Sequence, residues 1–287
     1  MMPIERKLLN PRNDYVFKRI FGFVGNEDIT KGLLNAILDN VKIQSLRLDC
    51  KEILEQDLKT DKFGVLDIRA VIDNSIQCDI EMQMVDRKNI ENRLLYYWSK
   101  LYSKTIHIGE DYIKGQRTII ILFSNYELDI LKDIKKYLTK WHICEDEYKN
   151  IILTNNLEIY IIEMPKHKDN EKNQNELSTW LKFITNPGVL KMNDIKNNEP
   201  LEKAKKVLDE ISDDEKEQYL AEQRLIYIMD QKAIEAAGFD KGFAQGKLKG
   251  ELKKQKEIAK KMLEEKIELS TIVRITGLTE EEIINLE

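Results

Sequence analysis

Histidine and cysteine are scarce in this chain. Three histidines (His107, His142 and His167) stand apart at no metal-ligand spacing, which excludes a histidine-built zinc centre and favours structural roles. Cys50, Cys78 and Cys144 are odd in number and scattered, so they form no disulfide framework and suit buried thiols in a reducing cytoplasm. No apolar run approaches the ~20 residues that a membrane helix needs, and no apolar signal segment opens the chain. The expectation is a cytoplasmic protein with no membrane partner. Positive charge is not in excess either. Lys and Arg number 46 against 51 Asp and Glu, a formal net charge of −5, so any contact with nucleic acid needs a local basic patch. What remains is a globular composition, 42% hydrophobic and 34% charged. At 287 residues it suits one large domain, alone or with an extension.

The organising stretch is residues 64–84, two strand patterns joined by a tight turn at Asn74-Ser75. In the first, Leu66, Ile68, Ala70 and Ile72 share one face, and Val65, Asp67, Arg69, Val71 and Asp73 the other. In the second, Cys78, Ile80, Met82 and Met84 alternate with Gln77, Asp79, Glu81 and Gln83. Asp67 and Glu81 share a face only if the loop holds an odd number of residues. With Asp73–Ser75 as a three-residue loop, Asp67 lies directly opposite Glu81. Two carboxylates at that distance repel unless a cation sits between them. An oxygen-lined site with few protein ligands suits Mg²⁺, which keeps waters and binds through one or two carboxylates plus substrate phosphate. An amphipathic hairpin with a solvated acidic face is the plain alternative. Against it, Val65 and Val71 lie on the acidic face, Gln83 points the same way two residues after Glu81, and a helix pattern follows at once.

Asp67, followed after a turn by Glu81-Met82-Gln83, resembles the metal site of PD-(D/E)XK nucleases, in the variant where Gln replaces Lys. The stretches 13–22, 93–98 and 157–166, with a tail carrying glycine every fourth residue, are similar to the PD-(D/E)XK transposase-like or recombination-promoting nuclease (Rpn) family over about residues 10–250. The resemblance implies a restriction-endonuclease-like α/β core acting on DNA, and involvement in recombination, mobile elements or phage defence. It also raises Asp14, on the first helix, as an extra acidic group beside the metal. The plain role of Asp14 is to favour the positive end of its own helix.

Taken in order, the chain predicts a helix from Asp14 to about Phe21, capped by Asn13 and ended by Gly22. Helical spacing covers 27–40, an edge strand 41–48 and a polar connection 51–63. A helix over 89–108 buries a stripe through Leu94, Leu95, Trp98, Leu101, Tyr102 and Thr105. Arg93, Tyr97 and Lys100 fall on a neighbouring side, either as a solvated flank or facing the metal site and phosphate. A strand over 117–124, a helix over 128–138 and a strand over 157–164 complete a mixed sheet covered by helices. Glu163 reads as a solvated or salt-bridged strand end.

From Glu176 the pattern is helical only. Gly238, Gly242, Gly246 and Gly250 fall every four residues, either in a flexible linker or as a helix face in close contact with another helix, for example in a homodimer. The stretch that follows is the most basic, and Lys247, Lys249, Lys253 and Lys254 are candidates for phosphate contact, or simply a solvated helix. Residues 270–286 resemble a helix-turn-helix, with Gly277 ending one helix and Thr279 with Glu282 boxing the next. The second helix opens Glu280-Glu281-Glu282, which phosphate would repel, so a packing or protein-contact module is the favoured reading over one that reads DNA. The expected organisation is a nuclease-like core over 1–175, a helical region over 176–237, and a Gly-repeat helix with a helical hairpin over 238–287.

The reading that follows is a Mg²⁺-dependent DNA endonuclease, with Mn²⁺ able to substitute. Asp67, Glu81 and the Met82 backbone carbonyl would hold the metal, and Gln83 would orient water or contact a phosphate oxygen. The alternative is a catalytically weak nuclease fold that binds nucleic acid or protein.

Overall fold

The computed structural model describes residues 8–38, 41–49, 67–86, 88–168, 175–191, 195–196 and 198–286. The connection expected over 51–63, the start of the hairpin at 64–66 and Cys50 lie outside them. The chain divides into two compact units, Met1–Ile228 and Met229–Glu287.

The first unit is built on a six-stranded mixed sheet. In chain order its strands are β1 (Leu46–Leu48), β2 (Ile68–Ile72), β3 (Ile76–Gln83), β4 (Arg117–Ser124), β5 (Leu138–Trp141) and β6 (Leu157–Glu163). They lie in the order β1-β2-β3-β4-β6-β5. β3, β4 and β6 run parallel, and the other neighbours pair antiparallel. The central run Ile119–Phe123 is fully buried, which is why it reads as continuously apolar rather than alternating.

Helices cover both faces. On one, α1 (Asp14–Phe21), α2 (Glu27–Ile37), α4 (Glu176–Thr185) and α5 (Glu199–Asp213) bury Phe17, Phe21, Leu33, Trp180 and Leu208 against Ile68, Ile80, Ile121 and Phe123. On the other, α3 (Ile90–Ser103) lays Ile90, Leu94, Tyr97 and Leu101 over Ile120, Leu122 and Ile161. α1 starts where expected, with the Asn13 side chain accepting from the Tyr15 N–H and Gly22 closing the C-terminus.

Gly32 marks the tightest approach of α2 to α5. A Cβ there would stand 2.6 Å from Cβ of Pro200 and 3.2 Å from the Trp180 ring. Gly32→Ala is therefore expected to cost about 1–3 kcal/mol in urea unfolding, as other overpacked core sites do. The tail glycines are the opposite case. A Cβ on Gly238, Gly242, Gly246 or Gly250 meets nothing within 4 Å. They sit inside one continuous helix, α6 (Glu215–Glu264), rather than in a linker. Gly242→Ala should then stabilise by up to about 1 kcal/mol, and a loss instead would reveal a helix packed on that face.

One expectation fails: the helix over 128–138 is replaced by a short 3₁₀ turn, Asp129–Leu131, and by the edge strand β5. Of the two readings of Glu163, the salt-bridged one holds. Glu163 is fully buried, accepts from the Leu128 N–H at 2.7 Å and pairs with Lys166 at 2.6 Å.

In the second unit, the end of α6 packs with α7 (Leu269–Thr276) and α8 (Glu280–Ile284) around Ala259, Ile272, Leu278 and Ile283. Gly277 takes a left-handed φ of 72° between α7 and α8. The Thr279–Glu282 capping box forms as expected. Among the described residues no helix is long and apolar enough to cross a membrane.

Candidate active site

The hairpin register decides what the site contains. Ile72 pairs with Ile76 and Ile68 with Ile80, which leaves Asp73–Ser75 as an odd, three-residue loop. Asp73 and Asn74 adopt positive φ there, a conformation that short polar side chains tolerate. The Asp73 carboxylate accepts from the N–H groups of Ser45 and Gln44, tying the turn to the edge of the sheet. Continued by one residue, the same register sets Asp67 opposite Glu81.

Both carboxylates thus belong to the face covered by α3, and Asp79 lies there with them. Asp79 is fully buried and Glu81 is 1% exposed. Among the described residues, neither oxygen of Asp79 and not Oε2 of Glu81 has a hydrogen-bond partner. Burial, and then the negative charge of Asp67, push the Asp79 carboxyl well above the ordinary carboxylate range. Glu81 is raised in the same way by burial, then by Asp67 and Asp79, with Arg93 and a hydrogen bond from Gln83 acting against the rise. Isolated buried carboxylates cost several kcal/mol each when ionised, so this group either keeps protons or takes a cation. The donor set fits a hard divalent ion. Among the described residues no group of three or more Asp, Glu, His or Cys side chains could hold a metal ion by itself. An ion here would rest on one or two carboxylates and complete its shell with water or phosphate oxygen.

The period of two already places Asp79 beside Glu81, but the sequence candidates stop at Asp67 and Glu81. The missing information is its depth, which the alternation does not carry. Gln83 is half-buried and bonds to Glu81. From α3, Arg93 donates to the Tyr97 hydroxyl through Nε at 3.1 Å and Nη2 at 2.6 Å. The positive field of Arg93 reaches Glu81. Burial, followed by Glu81, raises the Tyr97 hydroxyl above its ordinary range. These two residues therefore belong to the site's surroundings.

Lys100 does not join them. It is exposed, with its ammonium 5.4 Å from the centre of the Tyr96 ring. Asp14 is engaged elsewhere, in a buried pair with Arg224 at 2.6 Å. A buried lysine the candidates missed, Lys18 on α1, acts with Arg69 against the rise at Asp79. Lys247, Lys249, Lys253 and Lys254 are exposed along α6, and Lys253 faces Glu257 at 3.9 Å.

The raised carboxyls make folding pH-dependent. The folded state holds protons that the unfolded chain has already released. The stability they contribute is fully present below the unfolded values, near pH 4, and is lost as pH rises through the raised folded ones. Without divalent ions the melting temperature should fall as pH rises above the ordinary carboxylate range, and Mg²⁺ should restore it at the alkaline end. In Asp79→Asn the fall should be smaller. A flat profile for the unsubstituted protein in thermal scans would contradict the picture.

Together these elements describe an α/β fold, a mixed six-stranded sheet covered by helices, with carboxylates on its central hairpin. Residues 11–237 match the model of the PD-(D/E)XK nuclease family transposase, and the chain belongs to that family. Nucleases of this kind typically use divalent metals. Residues 252–287 match the C-terminal HTH domain of the Rpn/YhgA-like nuclease family, so the three-helix tail is a helix-turn-helix of that type. No curated protein and no solved structure matches.

Proposed function

We propose that this protein is a Mg²⁺-dependent DNA endonuclease of the transposase-like, recombination-promoting type, with Mn²⁺ able to substitute. The observation carrying this reading is the convergence of Asp67, Asp79 and Glu81 on one desolvated face, with three carboxylate oxygens of Asp79 and Glu81 lacking hydrogen-bond partners among the described residues.

Asp67 and Glu81, with the Met82 backbone carbonyl, would hold the ion, and Asp79 adds a third acidic group within their field. When bound, a divalent ion lowers the pKa of water and neutralises charge building on the scissile phosphate. The chain's own residues do the rest. Burial under α3 removes competing water and strengthens each local charge. Gln83, bonded to Glu81, is placed to orient the attacking water or a phosphate oxygen, although an amide brings neither charge nor a titratable proton. Arg93, steadied by Tyr97, offers positive charge toward the phosphate. A break in both strands by one centre per chain calls for two copies acting together. Incubation of purified protein with supercoiled plasmid and Mg²⁺ tests the reading. Nicked and linear products, abolished by chelation, are expected, and no product with either Mg²⁺ or Mn²⁺ would overturn it.

A further inference from the structure

The acidic face does not end at Asp79. The next residue of β3 on that side is Gln77, and across the hairpin Arg69 and Val71 stand opposite Asp79 and Gln77. There the face opens into a cavity of about 230 Å³, whose polar lining is Asp49, Arg69, Gln77, Lys104, Thr105, His107 and Gln116. Two strand residues span roughly 6.6–6.8 Å, so the cavity begins one such step from Asp79 and two from Glu81.

Its walls are tied together. Gln77 Nε2 donates to Gln116 Oε1 at 2.7 Å, bridging β3 to the entry of β4. The Thr105 hydroxyl accepts from the Gln116 N–H at 3.2 Å and donates to the Tyr102 carbonyl at 2.8 Å. Lys104 and His107 follow directly on α3 and are exposed to an incoming ligand. The chemistry changes along the face, from carboxylates at the centre to a guanidinium, an ammonium, an imidazole and paired amides in the cavity. An anion repelled by the first group would be attracted by Arg69 and Lys104, with the His107 ring offering an N–H donor. The amide pair and the Asp49 carboxylate offer donors and acceptors to a base edge, while Val71 and Leu101 give an apolar wall. The volume falls below the ~300–1,000 Å³ of ordinary small-molecule sites, which suits one unit of a longer polymer.

We propose that this cavity is a subsite for the nucleotide flanking the cleaved phosphate, with the phosphate held by Arg69, Lys104 and His107 and the base edge met by Gln77 and Gln116. The assignment rests on the nuclease reading above, but binding can be read without cleavage. The probe is a fluorescein-labelled 20-nucleotide DNA, as single strand and as duplex, titrated in EDTA by fluorescence anisotropy. In the double variant Lys104→Ala/His107→Ala, affinity for at least one form should fall about five- to tenfold, and the slope of log K against log salt should shrink by about one to two. Lys149→Ala, which removes an exposed charge from a distant loop, is the control. Unchanged affinity and slope relative to that control would overturn the subsite, as would absence of DNA binding by the unsubstituted protein. A loss of binding in a protein that never cuts plasmid would keep the cavity as a DNA-contacting site and overturn the nuclease reading instead. Both substituted residues are exposed, and a thermal scan verifies that the variant stays folded.

Discussion

Asp67→Ala and Glu81→Ala are each expected to reduce Mg²⁺-dependent plasmid cleavage at least ~100-fold, equivalent to about 2.7 kcal/mol of barrier. The two carboxylates come from opposite arms of the hairpin and act on one another, as the rise of Glu81 in the field of Asp67 records. Removing either takes away one of the two opposed charges that would hold the ion. The two effects should be far from additive, because residues serving one ion work as a unit. Asp79→Asn should give a smaller loss, since it preserves shape and leaves the opposed pair intact. Folding is not expected to suffer. Each alanine relieves electrostatic repulsion, and Glu81→Ala also removes a desolvated carboxylate, so the metal-free variants should melt no lower than the parent near neutral pH. Full cleavage by Asp67→Ala, in a protein that binds Mg²⁺ as before, would take the opposed pair out of the mechanism.

How much of this was legible beforehand depends on how local each cause is. The hairpin was readable because alternation and loop parity are properties of twenty consecutive residues. α1 was readable because its caps, Asn13 and Gly22, lie within the segment itself. β5 was not. Leu128, Leu131, Ile134 and Leu138 carry near-helical spacing, yet Leu138–Trp141 is claimed by pairing with Leu138 opposite Ile162, a partner 24 positions away. The glycine repeat left a linker and a helix both open, and the structure takes the helix despite the intrinsic cost of glycine.

In the candidate site the same division holds. A helix turns ~100° per residue. The buried arc of α3 centres between Tyr97 and Leu101, with Arg93 at its margin and Lys100 beyond it. Spacing alone grouped Arg93, Tyr97 and Lys100, but only the position of the sheet decides which of the three face inward. The depth of Asp79 has the same origin. Its burial depends on the layers packed over the sheet, which no window around residue 79 contains. The acidic opening of α8 favoured a packing module, a reading that the match to a helix-turn-helix domain corrects. The Glu280-Glu281-Glu282 turn caps the helix and is exposed, so in this helix-turn-helix the other elements must supply any attraction to phosphate.

The second large effect concerns stability. Arg224→Ala is expected to cost about 3–5 kcal/mol, because it leaves Asp14 buried and unpaired. Asp14 is only 8% exposed and Arg224 4%. The guanidinium reaches the carboxylate through Nε at 3.0 Å to both oxygens and through Nη2 at 2.6 Å. This contact fastens α6 to α1 across 210 positions of sequence, beside the Asn13 amide that donates to the Ala221 carbonyl at 3.0 Å. Removing both partners should cost less than removing Arg224 alone, since the double variant strands no charge. Asp14→Asn/Arg224→Leu should therefore unfold in urea at a higher midpoint than Arg224→Ala. The comparison also settles what Asp14 is for. If its role is to anchor α6, the double variant should recover cleavage together with stability. If Asp14 serves the acidic centre, the double variant should be stable and still fail to cut.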